Sequence, residues 1–127
     1  MLVYIKKDYE EMSKAGAQIV TALLRKKPNC VLGFATGSTP LGLYRELIRM
    51  HQREGLDFSK ITTFNLDEYV GLPPEHDQSY HYFMWENLFK HINVDRRFVH
   101  IPMGMAQNIE AHCEWYEEQI ENAFGFD

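Results

Sequence analysis

The stretch Cys30-Val31-Leu32-Gly33-Phe34-Ala35-Thr36-Gly37-Ser38-Thr39-Pro40 decides the fold, because an unbroken apolar run gives way at once to small, hydroxylated residues and a proline. An apolar run without polar alternation is what a central parallel strand, covered on both faces, requires. Pro40 suits the first turn of a helix, where a missing N–H leaves nothing unsatisfied. From Thr39 to about Arg53, Leu41, Tyr44, Leu47 and Ile48 then fall on one helical face. Strand, tight turn and helix in this order form one unit of an α/β protein.

The alternation extends in both directions. Upstream, Leu2 to Ile5 reads as a short strand and Asp8 to Lys26 as a helix with Met12, Ala15, Ile19, Ala22 and Leu23 on its apolar face; Pro28-Asn29 ends it. Downstream, Ile61 to Leu66 is a third strand, Gln78 to His91 a helix, Phe98 to Ile101 a fourth strand and Asn108 to Phe124 a last helix. In that last helix Ile109, His112, Cys113, Tyr116, Ile120 and Phe124 recur at helical intervals, which places His112 at the core or its edge. Four strand-helix units predict an α/β fold, a Rossmann-like parallel sheet with helices on both faces. No linker, repeat or low-complexity tract divides residues 1–127, so they form one domain. The loop Pro73-Pro74-Glu75-His76-Asp77 lies where lids and specificity elements are often built.

Composition removes several functional classes. With 45% apolar and 24% charged residues the chain is an ordinary globular protein. A net charge of -5 with scattered cations argues against nucleic acid as a partner. No apolar run reaches the length of a membrane span, and the N-terminus lacks the order of a secretory signal, so a cytoplasmic location is expected. Cys30 and Cys113 are far apart, form no Cys-x-x-Cys pair and read as buried thiols. The six histidines show no ligand spacing, so no metal site is expected.

Two turns carry the chemistry. In Phe64-Asn65-Leu66-Asp67-Glu68-Tyr69-Val70-Gly71-Leu72 a buried strand ends in adjacent carboxylates, as open α/β sheets present catalytic groups at the carboxyl ends of their strands. Asp67 is the catalytic candidate; alternatively Asp67 or Glu68 caps the following loop. In the first turn Gly37 lets the backbone approach a ligand, Ser38 or Thr39 caps the helix or offers a hydroxyl, and the helix N-terminus favours an anion. An ordinary capped turn has the same wording, and neither a Walker loop nor a Gly-x-Gly-x-x-Gly fingerprint is present. Both turns leave one sheet edge, where a sugar phosphate held by Gly37 to Thr39 would lie within reach of Asp67.

Leu32 to Gly42, Thr63 to Pro73 and Gln78 to Met84 together resemble the N-terminal motifs of the glucosamine-6-phosphate deaminase (isomerase) family, with Asn65 to Leu72 the most specific part. The wider superfamily, which includes 6-phosphogluconolactonase, shares the fold and the glycine turn. The resemblance implies conversion of glucosamine 6-phosphate and water to fructose 6-phosphate and ammonia without metal or redox cofactor. It makes Asp67 the enolisation base, Glu68 a supporting residue that orients the loop, and Thr36, Gly37, Ser38 and Thr39 the substrate and phosphate cradle, with Tyr80 and His81 as weaker candidates. The phosphorylated amino sugar is then the expected ligand.

The family continues beyond the position of Asp127 into a strand and a glycine-rich Asp-Gly-His segment with further acids and phosphate-binding cations. The chain thus resembles the N-terminal portion of the enzyme, with an incomplete sheet. An exposed edge beside the last strand would favour a homo-oligomer or a complementary C-terminal fragment. Alternatives to the deaminase are a noncatalytic sugar-phosphate binding module and a 6-phosphogluconolactonase-like hydrolase.

Overall fold

The computed structural model describes residues 2–127. Its sheet has three parallel strands in the order β1-β2-β3, formed by Val31–Phe34, Thr62–Asn65 and Val99–His100. Four helices connect and cover them: α1 (Tyr9–Lys26), α2 (Leu41–Glu54), α3 (Tyr80–Asn87) and α4 (Ile109–Asn122). Single 3₁₀ turns lie at Phe89–His91 and Arg96–Phe98.

The pleat of β1 distributes its side chains to two cores. Leu32 and Phe34 pack with Ala17 and Leu24 of α1, Tyr44 and Leu47 of α2, and Met84 of α3. Val31 and its neighbour Phe64 of β2 pack with Tyr116 and Ile120 of α4 on the opposite face. Helices therefore cover both faces, as the unbroken apolar run of β1 requires. Most of the buried apolar side chains lie on the α1-α2-α3 face.

The first expected strand is absent. Leu2 to Ile5 has no ladder partner among the described residues, and its side chains are exposed. β1 has β2 on one side, and on the other Asp127 meets it at Val31. Asp127 N–H donates to the Val31 carbonyl at 3.0 Å, while the Asp127 carboxylate accepts the Val31 N–H at 2.9 Å and pairs with Lys27. The sheet thus has three strands rather than four, and β3 is its other edge.

The face of α1 also differs from the expected one. Ser13, Ala17, Thr21 and Leu24 are buried, whereas Met12 and Ile19 are 42% and 58% exposed. Close approach of α1 to α2 selects the small residues: a side chain at Gly42 would meet Ser13 Oγ at 2.2 Å. Larger residues cannot sit in that contact without separating the helices.

Three smaller expectations need correction. Cys30 is buried but Cys113 is exposed on α4, because only Tyr116 of that helix is fully covered. Phe124 lies past the helix end at φ 64° and is exposed, outside the expected stripe. The helix expected from Gln78 to His91 breaks at Leu88, whose backbone leaves the helical region before a 3₁₀ turn.

Candidate active site

The site grows from the register of two strands. Phe34 and Asn65, the last residues of β1 and β2, are paired, so the turns that follow them leave the sheet side by side. The Asn65 amide donates to the Phe34 carbonyl at 2.8 Å, and the Tyr116 hydroxyl of α4 donates to the carbonyls of Asn65 and His100 at 2.7 and 3.1 Å. One side chain from each face thus ties the strand ends together.

The first turn is anchored from within. Tyr44, almost wholly buried in the core, accepts the Ala35 N–H at 3.0 Å and donates to the Ala35 carbonyl. Burial pushes its phenol pKa up, so the hydroxyl remains a neutral donor. Gly37 follows at φ 90°, a left-handed conformation that residues with a Cβ rarely adopt. Gly37, Ser38 and Thr39 are exposed and Thr36 is half-buried. The N-cap of α2 falls on Pro40, with no side-chain capping bond. The expectation that Ser38 or Thr39 caps the helix is therefore overturned, because the chain enters the helix one residue later than the cap pattern requires.

The second turn is anchored by its acid pair, and the two carboxylates differ sharply. Asp67 is exposed. The Glu68 side chain is only 1% exposed and reaches the start of α3. It accepts the N–H groups of Tyr69, Tyr80 and His81 at 2.8, 2.9 and 3.0 Å, and the His81 ring through Nδ1 at 2.9 Å. An ionised carboxylate only accepts, so Nδ1 carries the proton. Burial opposes ionisation of Glu68, but the donors of Tyr80, His81 and Tyr69 outweigh it and hold the carboxyl below its usual range. Ser79 supplies the ordinary N-cap, accepting from Tyr82 N–H at 3.0 Å while donating to Pro74 at 2.9 Å. The Pro73–Asp77 loop is thus pinned at both Pro73 and Pro74, through His76 N–H and Ser79.

On its other side the Asp67 loop meets a buried glycine. Gly71 N–H donates to the Gly104 carbonyl at 2.8 Å, and a side chain at Gly104 would meet the Tyr69 carbonyl at 2.2 Å. The loop is clamped between α3 and the 102–106 segment, with Asp67 at its exposed end.

A phenol pair joins the Asp67 loop to α3. Tyr80 Oη and Tyr69 Oη lie 3.2 Å apart, and this contact raises the Tyr80 pKa; the Thr36 hydroxyl and the Asp67 charge also act on the same phenol. Tyr80 is half-buried, with its hydroxyl at that junction rather than in the core. Beside Asp67 opens a cavity of about 270 Å³, and a second of about 520 Å³ runs from Ala35 along the strand ends; Leu66, Tyr116 and Glu117 form their common wall. Tyr69 and Gly104 were not legible as site residues. Their signals were a tyrosine directly after the acid pair and a glycine between two methionines.

The exposed carboxylate can act as a base, and the turn at Gly37 can offer N–H groups and hydroxyls to an anion. Among the described residues no group of His, Cys, Asp and Glu side chains is arranged to hold a metal ion. Among the described residues no helix is long and apolar enough to cross a membrane.

Residues 7–127 match the family described as glucosamine-6-phosphate isomerases/6-phosphogluconolactonase. The whole chain is 58% identical to 50% of the length of a glucosamine-6-phosphate deaminase from Thermoanaerobacter sp. (strain X514), and 54% identical to 53% of one from Halothermothrix orenii. Among solved structures it superposes on 53% of a monomeric glucosamine-6-phosphate deaminase with a TM-score of 0.97 and 44% identity. A 6-phosphogluconolactonase from Thermotoga maritima gives 0.75 and 25% identity over 54% of its length. The chain spans about half the length of the curated relatives it matches.

Proposed function

The chain belongs to the family of glucosamine-6-phosphate isomerases and 6-phosphogluconolactonases, and we propose that it supplies the base and part of the phosphate cradle for deamination of glucosamine 6-phosphate. The complete reaction converts this sugar and water to fructose 6-phosphate and ammonia. The observation that carries the proposal is the parallel pairing of Phe34 with Asn65, which sends the Gly37 turn and Asp67 from one sheet edge. Higher identity to deaminases than to a lactonase, 58% against 25%, supports the amino sugar as substrate.

Once the sugar ring is open, the C1 carbonyl acidifies the proton on C2. The Asp67 carboxylate takes that proton and returns it at C1. Loss of the C2 proton gives an enolamine, its return at C1 gives a ketimine at C2, and water hydrolyses the ketimine to the ketone with release of ammonia. Glu68 holds the loop through α3 and does not meet the substrate. Thr36, Gly37, Ser38 and Thr39 hold the sugar phosphate, the last two nearest the phosphate.

Ring opening and the rest of the phosphate clamp require groups that these residues do not supply, so the 127-residue chain alone should show little or no deaminase activity. The unpaired side of β3 fits association with a second copy or a complementary segment. This metabolic role fits a cytoplasmic protein. Parallel assays of ammonia release from glucosamine 6-phosphate and of 6-phosphogluconolactone hydrolysis, on a polypeptide of full family length carrying this sequence, test the proposal. Lactone hydrolysis without ammonia release would replace the deaminase with the lactonase.

A further inference from the structure

The turn from Gly37 to Thr39 is held by a side chain 29 to 33 positions upstream of its partners. Tyr9 opens α1, and its hydroxyl rests on the start of α2. Gly42 N–H donates to it at 2.8 Å, and it lies 3.0 Å from the carbonyl oxygens of both Ser38 and Thr39. One phenolic proton serves both carbonyls, so the donation is shared.

This contact replaces a missing cap. An N-cap side chain ordinarily accepts the N–H of the second or third helical residue. Pro40 cannot, and Gly42 is the second residue of α2. Tyr9 performs that task from another helix. Gly42 permits it, since a Cβ there would meet Tyr9 Cε1 at 2.8 Å.

The contact also orients the turn. No peptide bond among the described residues is cis, and in a trans peptide C=O and N–H point in opposite directions. The Ser38 carbonyl is drawn onto the phenol and also accepts the Leu41 N–H at 3.3 Å, so the Thr39 N–H of the same peptide turns away from α1. The Thr39 carbonyl precedes Pro40, so its peptide has no N–H of its own. The Thr39 N–H is thereby left on the side opposite Tyr9.

We propose that Tyr9 is a positioning residue for the anion-binding turn: without touching the ligand, its hydroxyl sets the direction in which Ser38 and Thr39 face a sugar phosphate. This rests on the assignment of that turn as a phosphate cradle. Tyr9→Phe removes the hydroxyl and keeps the ring, which is 43% exposed at the residue level and not required to fill a core.

The test is an NMR titration with fructose 6-phosphate of a polypeptide of full family length carrying this sequence, following the backbone amides of Gly37, Ser38 and Thr39. The parent chain should saturate, and Tyr9→Phe should bind about fivefold to tenfold more weakly, with the response of the Thr39 amide reduced most. Gly16→Ala controls for general loosening of α1 against α2, because its Cβ would meet Leu43 Cδ1 at 2.8 Å away from the phenol. It should retain the parent affinity. Equal affinity in Tyr9→Phe and the parent, or equal weakening in Gly16→Ala and Tyr9→Phe, overturns the proposal. No amide response in the parent chain overturns the phosphate assignment itself, and the role of Tyr9 with it.

Discussion

Asn65 donates its side-chain amide to the Phe34 carbonyl at 2.8 Å, joining the final residues of two parallel strands just before both chains turn toward the candidate site. Asn65 is buried, and its Oδ1 has no partner among the described residues. The bond makes the spacing of the two turns a property of the sheet rather than of the loops.

Asn65→Ala should remove that tie and leave the Phe34 carbonyl unsatisfied, at a cost of about 1–3 kcal/mol. Urea unfolding should show a lower midpoint with an unchanged slope. An unchanged midpoint would mean that the bond contributes nothing to holding the strand ends.

Glu68 links stability to pH. Its carboxyl lies below its usual range in the folded chain, so its contribution is complete above the unfolded value of about 4.3 and fades as pH falls through the depressed folded value. Glu68→Ala leaves the donors of Tyr69, Tyr80 and His81 without their acceptor and should cost about 3 kcal/mol at neutral pH. Glu68→Gln should cost less and show a smaller fall in stability than the parent on acidification through that window, the remainder coming from Glu46, Asp57, Asp95 and Asp127, whose partners also hold them below the usual range. Unfolding curves at pH 7 and pH 3 check both; a parallel fall in the parent and Glu68→Gln would count against the assignment.

Gly104→Ala would place a Cβ 2.2 Å from the Tyr69 carbonyl and 2.9 Å from that of Leu72. Both contacts are backbone, so the loop rather than a flexible side chain must move. A loss of about 1–3 kcal/mol is expected, with faster hydrogen exchange at Gly71, whose N–H bonds the Gly104 carbonyl. Exchange at Gly71 as slow as in the parent would show that the clamp is absent.

The parts legible in the sequence are those set by local pattern. The unbroken run from Cys30 to Phe34 and the apolar spacing of Leu41, Tyr44, Leu47 and Ile48 identify β1 and α2, and the acid pair after Asn65 identifies the loop. The register Phe34 to Asn65 then brings the two turns together. What periodicity misreads is the buried face of α1: large apolar residues such as Met12 and Ile19 dominate the pattern, while contact with α2 is governed by Ser13 and Gly42. Leu2 to Ile5 has strand-like composition, but composition alone does not supply a ladder partner, and among the described residues the segment pairs with none. The phenol of Tyr9 and the clamp at Gly104 depend on contacts between distant segments that no local window contains. The division of labour between Asp67 and Glu68 was suggested by the family resemblance. Its physical basis, one carboxylate exposed and the other buried on α3, appears only in three dimensions.

The most direct measurement is substrate-dependent ammonia release by a single polypeptide in which this chain is continued by the C-terminal half of the Thermoanaerobacter deaminase, with Asp67 intact and as Asp67→Asn. Loss of the base should lower kcat by about a hundredfold to ten-thousandfold while KM for glucosamine 6-phosphate changes little. Turnover by Asp67→Asn at the rate of the parent polypeptide would contradict the assignment of Asp67 as the enolisation base.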